Sequence, residues 1–140
     1  MTIQRVLGLD VGTKTIGVAL GLVSMSLTEP VVTLSRSGVK KDVVQLVQIC
    51  QRHPVQRIIV GLPLQLDGTE GRSARLARQI GDALAAATGI EVEYFDERFT
   101  TVEASRRLQD SGVNSRNQKQ MIDQVAAMVI LEDWMSQQSV

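Results

Sequence analysis

The sequence predicts a mixed α/β fold, in which helices flank a sheet that has both antiparallel and parallel strands. An apolar, glycine-rich run at residues 5–22 is split by a short polar turn, as in a β-hairpin. Helical and strand-like patterns alternate after it, as they do in crossover connections between parallel strands. With 140 residues and a hydrophobic fraction of 44%, we expect residues 1–140 to form a single domain.

The first half of the chain predicts four strands and one helix. Residues 5–22 form two strands joined by a turn at residues 12–14, and residues 30–34 (PVVTL) form a third. Apolar residues recur every three or four positions over residues 41–52, which is the spacing of a helix that packs on one face. Residues 57–61 (RIIVG) are β-branched in their middle and suit a central strand covered on both faces.

The second half predicts three helices and one further strand, and the last helix is the most apolar of the chain. In order, the elements are a helix over 72–87 capped by Gly89, a strand over 91–95, a helix from a capping box at Thr100 to about residue 110, a polar connector over 111–117, and a helix from 118 to about 135.

Charge and composition limit the classes of partner. The 15 basic and 15 acidic side chains leave no net charge, so binding to a polyanion would have to depend on local clusters. Aromatic residues make up 3%, too few for base stacking to dominate, which leaves contacts to backbone phosphates. With one cysteine there is no internal disulfide; we expect Cys50 in the core and His53 at a helix end. No stretch is long and apolar enough to span a membrane, so the cytoplasm is the expected compartment.

Three carboxylates lie in or next to apolar segments, where a charged side chain is unexpected. Asp10 interrupts the apolar stretch VLGLDVGTKTIGVAL, where it is either a functional group or a turn-forming residue beside glycine. Glu97 follows the last strand in YFDER; there it and Asp96 either serve a site or pair with Arg98 on a solvated loop. Asp123 is the most informative, because a spacing of 100° per residue places it on the apolar stripe of the last helix. A charge there is costly without a cationic partner.

Two strand ends and a helix packed across the sheet can bring Asp10, Glu97 and Asp123 together. Three such carboxylates repel one another unless a cation lies between them, and oxygen ligands suit Mg²⁺ or Mn²⁺. The chain has no set of histidines and cysteines for a zinc site. The cluster therefore predicts metal-assisted phosphoryl transfer, in which one or two ions activate a water for attack on a phosphodiester.

Two basic clusters and several polar neighbours predict contacts to phosphate. One cluster, Arg72, Arg75 and Arg78, repeats every three residues along the helix predicted over 72–87; the other consists of Arg106, Arg107, Arg116 and Lys119. A solvated helix face explains either cluster alone, but two clusters in a chain of zero net charge favour a surface for backbone phosphates. The candidate phosphate-binding residues are Thr13, Lys14, Arg72, Arg75, Arg78, Arg98, Thr100, Thr101, Arg106, Arg107, Arg116 and Lys119.

Four stretches together resemble one family: LGLDVGTKTIGVAL, VGLPLQLDGTEG, FDERFTTVEA and KQMIDQVAAMVIL. They are similar to those of the YqgF family of pre-16S rRNA nucleases, also called RuvX, which is itself similar to Holliday-junction resolvases of the RNase H-like superfamily. The resemblance covers nearly the whole chain. It implies an RNase H-like fold with a mixed five-stranded sheet, flanked by helices, in which the second strand is antiparallel to the rest.

The resemblance also implies roles for individual residues. The family's acidic positions fall on Asp10, Glu97 and Asp123, which are the three carboxylates singled out above. The family often has a basic residue after GTK, where this chain has Thr15. In the wider superfamily the second acid ends the fourth strand, but here that strand ends in GLP, so Glu97 is expected to take its place, with Asp96 as a rival.

The function implied is a metal-dependent endo- or exonuclease that processes the 5′ end of the 16S rRNA precursor in ribosome biogenesis, in association with the ribosomal subunit. Branched DNA is the alternative substrate, and a non-catalytic nucleic-acid-binding protein is a further alternative. LGLDVGTK also looks like the phosphate-binding loop of sugar kinases and actin-like ATPases, but those enzymes bind nucleotide between two such domains and this chain has room for one. Trp134 and Met135 belong either to a homodimer surface, as the similarity to resolvases implies, or to the core.

Overall fold

The computed structural model describes residues 5–96 and 115–138, with the side chains of the final helix described from residue 121 onward. Strands and helices alternate as the sequence predicts, and a short 3₁₀ helix, Val23–Met25, connects the second and third strands. No helix in the described ranges is long and apolar enough to cross a membrane. In chain order the elements are β1 (Arg5–Val11), β2 (Thr15–Leu22), β3 (Leu27–Ser35), α1 (Val39–Arg52), β4 (Arg57–Leu62), α2 (Arg72–Thr88), β5 (Glu91–Asp96) and α3 (Ser115–Gln138).

The described strands form one mixed sheet in the order β3-β2-β1-β4-β5. β2 pairs antiparallel with both β1 and β3, whereas β1 with β4 and β4 with β5 pair in parallel. The second strand therefore runs against the others, and the predicted fold class is confirmed. The carboxyl ends of β1, β3, β4 and β5 lie together with the start of β2, at what we call the carboxyl edge of the sheet.

Helices cover both faces of the sheet, and alternation along β1 separates two hydrophobic cores. Leu7 and Leu9 point toward α1 and α2, where they pack in one cluster with Leu46. Val6 points to the other face and packs in a second cluster with Trp134 of α3. Because both faces are covered, β1 and β4 are apolar on both sides of their alternation, as strands buried on two faces are.

Helix α3 lies directly on two glycines of the β1–β2 hairpin. A side chain at Gly8 would collide with Leu131, and one at Gly17 would collide with the main chain of Asp123. Glycine at these positions lets the helix backbone approach the sheet closely. This approach also determines where α3 places Asp123, one of the predicted site residues.

The structure shows whether four residues with predicted environments lie in the core or at the surface. Cys50 is buried in the core beneath α1, and burial raises the pKa of its thiol. His53 lies at the C-terminal end of α1, where its main-chain N–H donates to the Ile49 carbonyl oxygen at 2.8 Å. Trp134 and Met135 are 2% and 6% exposed, so they belong to the core and not to a homodimer surface.

Two elements begin three residues earlier than predicted. β3 begins at Leu27 instead of residue 30, because its polar start pairs along β2, with Leu27 opposite Leu22. Such a start on an edge strand carries no hydrophobic pattern. α3 begins at Ser115, so residues 115–117 are helical and not part of a connector; a polar first turn has no apolar periodicity to reveal it. The helix predicted from Thr100 to about residue 110 lies outside the described residues.

Candidate active site

Asp10 lies at the carboxyl edge, on the face of the sheet that α3 covers. It is the last but one residue of β1, it is half-buried, and it follows Gly8 in the alternation of the strand. In the hairpin register Asp10 stands opposite Gly17. The turn beyond it is closed by a hydrogen bond from the Gly12 N–H to the Thr15 carbonyl oxygen, at 2.8 Å. The strand thus places this carboxylate next to a tight turn, on the inner face.

Asp123 reaches the same place from α3. Its main chain packs on Gly17, directly across the hairpin from Asp10. Its Oδ2 atom accepts a hydrogen bond of 2.5 Å from the hydroxyl group of Thr15. Ala127, one turn further along the helix, is fully buried, so the prediction that Asp123 lies on the apolar stripe of this helix is confirmed.

The described hydrogen-bond partner of Asp123 is a hydroxyl group, whereas the sequence led us to expect a cation. The side chain is half-buried, so water keeps access to it and the cost of an uncompensated charge is smaller than in the deep core. A hydroxyl donor also brings no positive charge that would compete with a metal ion for the carboxylate.

Asp10 and Asp123 are neighbours on one face of the sheet. Residues directly opposite in an antiparallel pair have Cβ atoms about 5 Å apart, and the Cβ of Asp123 lies 2.8 Å from the place where a Cβ of Gly17 would stand. Two carboxylates so placed repel each other and offer oxygen ligands to a hard divalent cation. Within residues 5–96 and 115–138, no three Asp, Glu, His or Cys side chains are close enough to hold a metal. Glu97, the third predicted ligand, lies outside these ranges.

The structure separates Asp96 from Asp10. Asp96 is the exposed last residue of β5, and alternation places it on the same face as Tyr94, which packs on the α1–α2 core. Phe95, between them, packs on the α3 side. Since Asp10 is on the α3 side, Asp10 and Asp96 lie on opposite faces of the sheet. This placement favours Glu97 over its rival, although the role of Glu97 stays a prediction.

The other predicted residues differ in whether the structure describes them. Thr13 and Lys14 are exposed on the turn between β1 and β2, at the carboxyl edge. Arg116 and Lys119 lie in α3, before the residues whose side chains are described. The candidates that lie outside the described residues are Glu97, Arg98, Thr100, Thr101, Arg106 and Arg107.

The three arginines of α2 have different surroundings. Arg78 donates two hydrogen bonds to Glu70, at 2.8 and 2.7 Å, and its guanidinium group lies 4.8 Å from the centre of the Tyr94 ring. The hydrogen bond from Arg78 lowers the pKa of the Glu70 carboxyl group. Arg78 thereby fastens the loop between β4 and α2. Arg72 and Arg75 are exposed in the first turn of α2, so they present their charges to solvent.

Sequence reasoning missed a buried ion pair at the carboxyl edge. Arg36 Nε donates to Asp42 Oδ2 at 2.6 Å, and these side chains are 12% and 0% exposed. Arg36 Nη1 also donates to the Gly12 carbonyl oxygen at 2.8 Å, and the Arg36 main-chain N–H donates to the Lys14 carbonyl oxygen at 2.9 Å. Arg36 therefore ties the turn that follows Asp10 to the first turn of α1. The available signal was an acid at the start of a helix six residues after an arginine, and such pairs are common on surfaces.

Comparison with known proteins identifies the family. The family model for RuvX, described as a Holliday junction resolvase, matches residues 4–137. The chain belongs to the RuvX family. A Myxococcus xanthus protein named as a pre-16S rRNA nuclease is 42% identical over 136 residues, which span 94% of this chain and 87% of that protein. A protein of the same name from Anaeromyxobacter dehalogenans is also 42% identical, over 97% of this chain and 99% of that protein. The family and its nuclease character agree with the prediction.

Solved structures place this RuvX fold beside those of resolvases. RuvC from T. thermophilus, in complex with a Holliday junction substrate, has a TM-score of 0.62 at 15% identity and covers 96% of this chain and 95% of that one. The yeast mitochondrial Holliday junction resolvase has a TM-score of 0.65 at 13% identity and covers 98% and 80%. At these identities the likeness concerns the fold alone, and it confirms the RNase H-like architecture predicted for the chain.

Proposed function

We propose that this RuvX protein is a metal-dependent endo- or exonuclease that hydrolyses phosphodiester bonds and processes the 5′ end of the 16S rRNA precursor. The observation that carries the proposal is that Asp10 is paired with Gly17 across the hairpin while Asp123 of α3 packs on the same glycine, at the carboxyl edge. The relatives named as pre-16S rRNA nucleases support the choice of RNA over DNA. In this role the protein would act in the cytoplasm, on the precursor of the small ribosomal subunit.

The donor groups at the edge fit a hard divalent cation. Asp10 and Asp123 offer carboxylate oxygens in a half-buried position that water can reach, and we propose Glu97 as the third ligand. The chain's one cysteine is in the core and its one histidine is at the far end of α1, so neither adds a soft ligand. Mg²⁺ or Mn²⁺ bound there would lower the pKa of a water molecule and neutralise charge on the phosphate under attack.

Residues beside the two carboxylates would orient the nucleic acid. Thr13 and Lys14 stand on the exposed turn directly after Asp10 and can bind a phosphate from the hairpin side. Arg72 and Arg75 begin α2, which follows the carboxyl end of β4 and therefore starts at the same edge. A phosphate backbone that crosses this edge would meet positive charge on both sides of Asp10.

Cleavage of end-labelled precursor rRNA with Mg²⁺ or Mn²⁺ tests the proposal. D10N and D123N each remove one charge at nearly constant volume, and each should lower the cleavage rate by more than about 100-fold, because a metal ligand is lost. D133N is the matched control, since Asp133 is exposed on the same helix, about 15 Å further along it. We expect D133N to cleave at the wild-type rate. Cleavage that needs no metal, or that survives both site substitutions, would contradict the proposed site.

A four-way DNA junction in the same assay decides the class of substrate. Branched DNA is the alternative, because the fold is similar to that of a RuvC bound to a Holliday junction. Cleavage of the junction without cleavage of the rRNA would assign a resolvase activity. Binding of both substrates without cleavage, unchanged in D10N and D123N, would instead assign a non-catalytic nucleic-acid-binding protein.

A further inference from the structure

We propose that Thr15 is a positioning residue for Asp123, and that its hydroxyl group holds this carboxylate in the orientation that binds the divalent cation. This inference rests on the function proposed above, because it takes Asp123 to be a metal ligand. The contact joins residues 108 positions apart, and no other described residue donates a hydrogen bond to the Asp123 carboxylate.

The hydrogen bond joins a hydroxyl donor to a carboxylate acceptor. Thr15 Oγ1 lies 2.5 Å from Asp123 Oδ2, within the range of about 2.5–2.7 Å that hydroxyl donors show toward carboxylates. Both side chains are half-buried, so the bond is less exposed to competition from water than one on the surface. One oxygen of the carboxylate is thus occupied by a fixed donor, and Oδ1 would be the oxygen that binds a metal ion.

Thr15 is itself held in place on several sides. It is the first residue of β2, where it pairs with Ser35 of β3, and its carbonyl oxygen accepts the Gly12 N–H that closes the turn. Threonine is β-branched, so its χ1 angle is restricted within a strand. Because the backbone of Asp123 also rests on Gly17, two residues further along the same strand, both the main chain and the carboxylate of Asp123 take their position from β2.

This arrangement makes a specific demand on residue 15. The side chain must be short, must carry a hydroxyl donor and must keep that donor fixed. Valine has the shape of threonine without the hydroxyl group, whereas serine keeps the hydroxyl group on a less restricted side chain. The variants T15V and T15S therefore separate hydrogen bonding from packing at this position.

The test compares Mn²⁺ binding, followed by the paramagnetic resonance of the free ion, with cleavage of the precursor rRNA in the full chain. We expect T15V to raise the Kd for Mn²⁺ about 10–100-fold, the range typical for loss of a hydrogen-bond partner of a metal ligand. T15S should bind Mn²⁺ close to the wild-type Kd. In a D123N background, T15V should cause no further loss, because the carboxylate on which it acts is gone.

Binding and stability together decide between positioning and a structural role. If T15V binds Mn²⁺ with the wild-type Kd while it is folded, the inference is overturned and the hydrogen bond only joins α3 to β2. If T15V does not fold, the Kd of T15A for Mn²⁺ is compared with that of T15S instead. A wild-type chain that binds no Mn²⁺, or a D123N variant that binds it as tightly as wild type, would overturn the proposed metal site together with this inference. A wild-type Kd in T15V, with weakened binding in D123N, would overturn the inference alone.

Discussion

Arg36 shows how one residue can join three parts of the chain. It follows β3, and its side chain pairs with Asp42 in the first turn of α1. In the turn between β1 and β2, its side chain donates to the Gly12 carbonyl oxygen and its main-chain N–H donates to the Lys14 carbonyl oxygen. Asp42 is fully buried, and its second oxygen accepts the main-chain N–H of Ser37 at 2.9 Å. A buried carboxylate is tolerated here because both of its oxygens have partners. The position of the turn beside Asp10 therefore depends on a charge pair in the interior.

Replacement of Arg36 should reveal this dependence. R36M is expected to lower the free energy of unfolding by about 3–5 kcal/mol, because it leaves the Asp42 carboxylate buried without a cation. Urea denaturation measures the effect. R72M removes an exposed arginine from α2 and serves as the control, with an expected change within about 0.5 kcal/mol. A loss in R36M as small as that of the control would show that the pair contributes little to the fold.

At the scale of the element, strand β5 is fastened to helix α2 through the one tyrosine of the chain. The Tyr94 hydroxyl group lies 2.5 Å from Asp82 Oδ1 and 3.1 Å from the Arg78 carbonyl oxygen. Burial raises the pKa of Tyr94, and the hydrogen bond to Asp82 raises it further, whereas the positive charge of Arg78 opposes part of the shift. Ionisation of this side chain would therefore weaken the contact between the two elements.

Alkaline titration of tyrosinate absorbance tests this contact on a single residue. At pH 10, near the ordinary tyrosine pKa of about 10, the native protein should show no ionised tyrosine, while the chain unfolded in urea should be half ionised. The folded pKa exceeds the unfolded one, so the stabilisation is complete below a pH of about 10 and is lost as the pH rises toward the folded value.

The D82N variant removes the charge beside Tyr94 but keeps its burial, so the pKa of Tyr94 should fall only part of the way toward the ordinary value. E91Q, which changes an exposed acid at the start of β5, should leave the titration unchanged. Ionisation of native Tyr94 at the ordinary pKa would contradict the buried contact.

The elements that could be predicted from the sequence are those in which the pattern of apolar residues matches the buried side chains. β1, β4 and α2 have clear apolar patterns because their side chains face the two cores. The polar start of β3 is held by main-chain pairing with β2, which depends on the partner strand and not on its own side chains. In the same way the polar first turn of α3 has no side-chain pattern of its own.

The residues of the candidate site differ in the same way: the sequence pattern reveals some of them and not others. Asp10 and Asp123 could be predicted because each is a charge in an apolar run, where a charge is costly. Thr15 and Arg36 could not be predicted, because their side chains are ordinary in the sequence and gain meaning only through contacts made by the packed chain. For Thr15 that contact spans 108 positions, which no local pattern can encode.

At the scale of the whole molecule, two hydrophobic cores share one sheet. Cys50 belongs to the core between the sheet and α1–α2, and Trp134 to the core between the sheet and α3. The Trp134 indole N–H donates to Glu93 Oε2 at 2.5 Å, and Arg57 Nη1 lies 3.7 Å from the same oxygen. These contacts connect α3 with β5 and β4, while β1 supplies alternate side chains to both cores. Loss of either core would therefore remove the support of the strands that form the other.

Because both cores are built on the same strands, we expect the molecule to unfold as one cooperative unit. The chain has one tryptophan and one cysteine, in different cores, so each reports on one side of the sheet. Across a urea series, the change in Trp134 fluorescence and the exposure of Cys50 to a thiol reagent should follow one curve with one midpoint. W134F and C50S are the controls that assign the two signals. Labelling of Cys50 at urea concentrations where Trp134 fluorescence is still native would show that the α1–α2 layer opens first, and that the shared sheet does not couple the two cores.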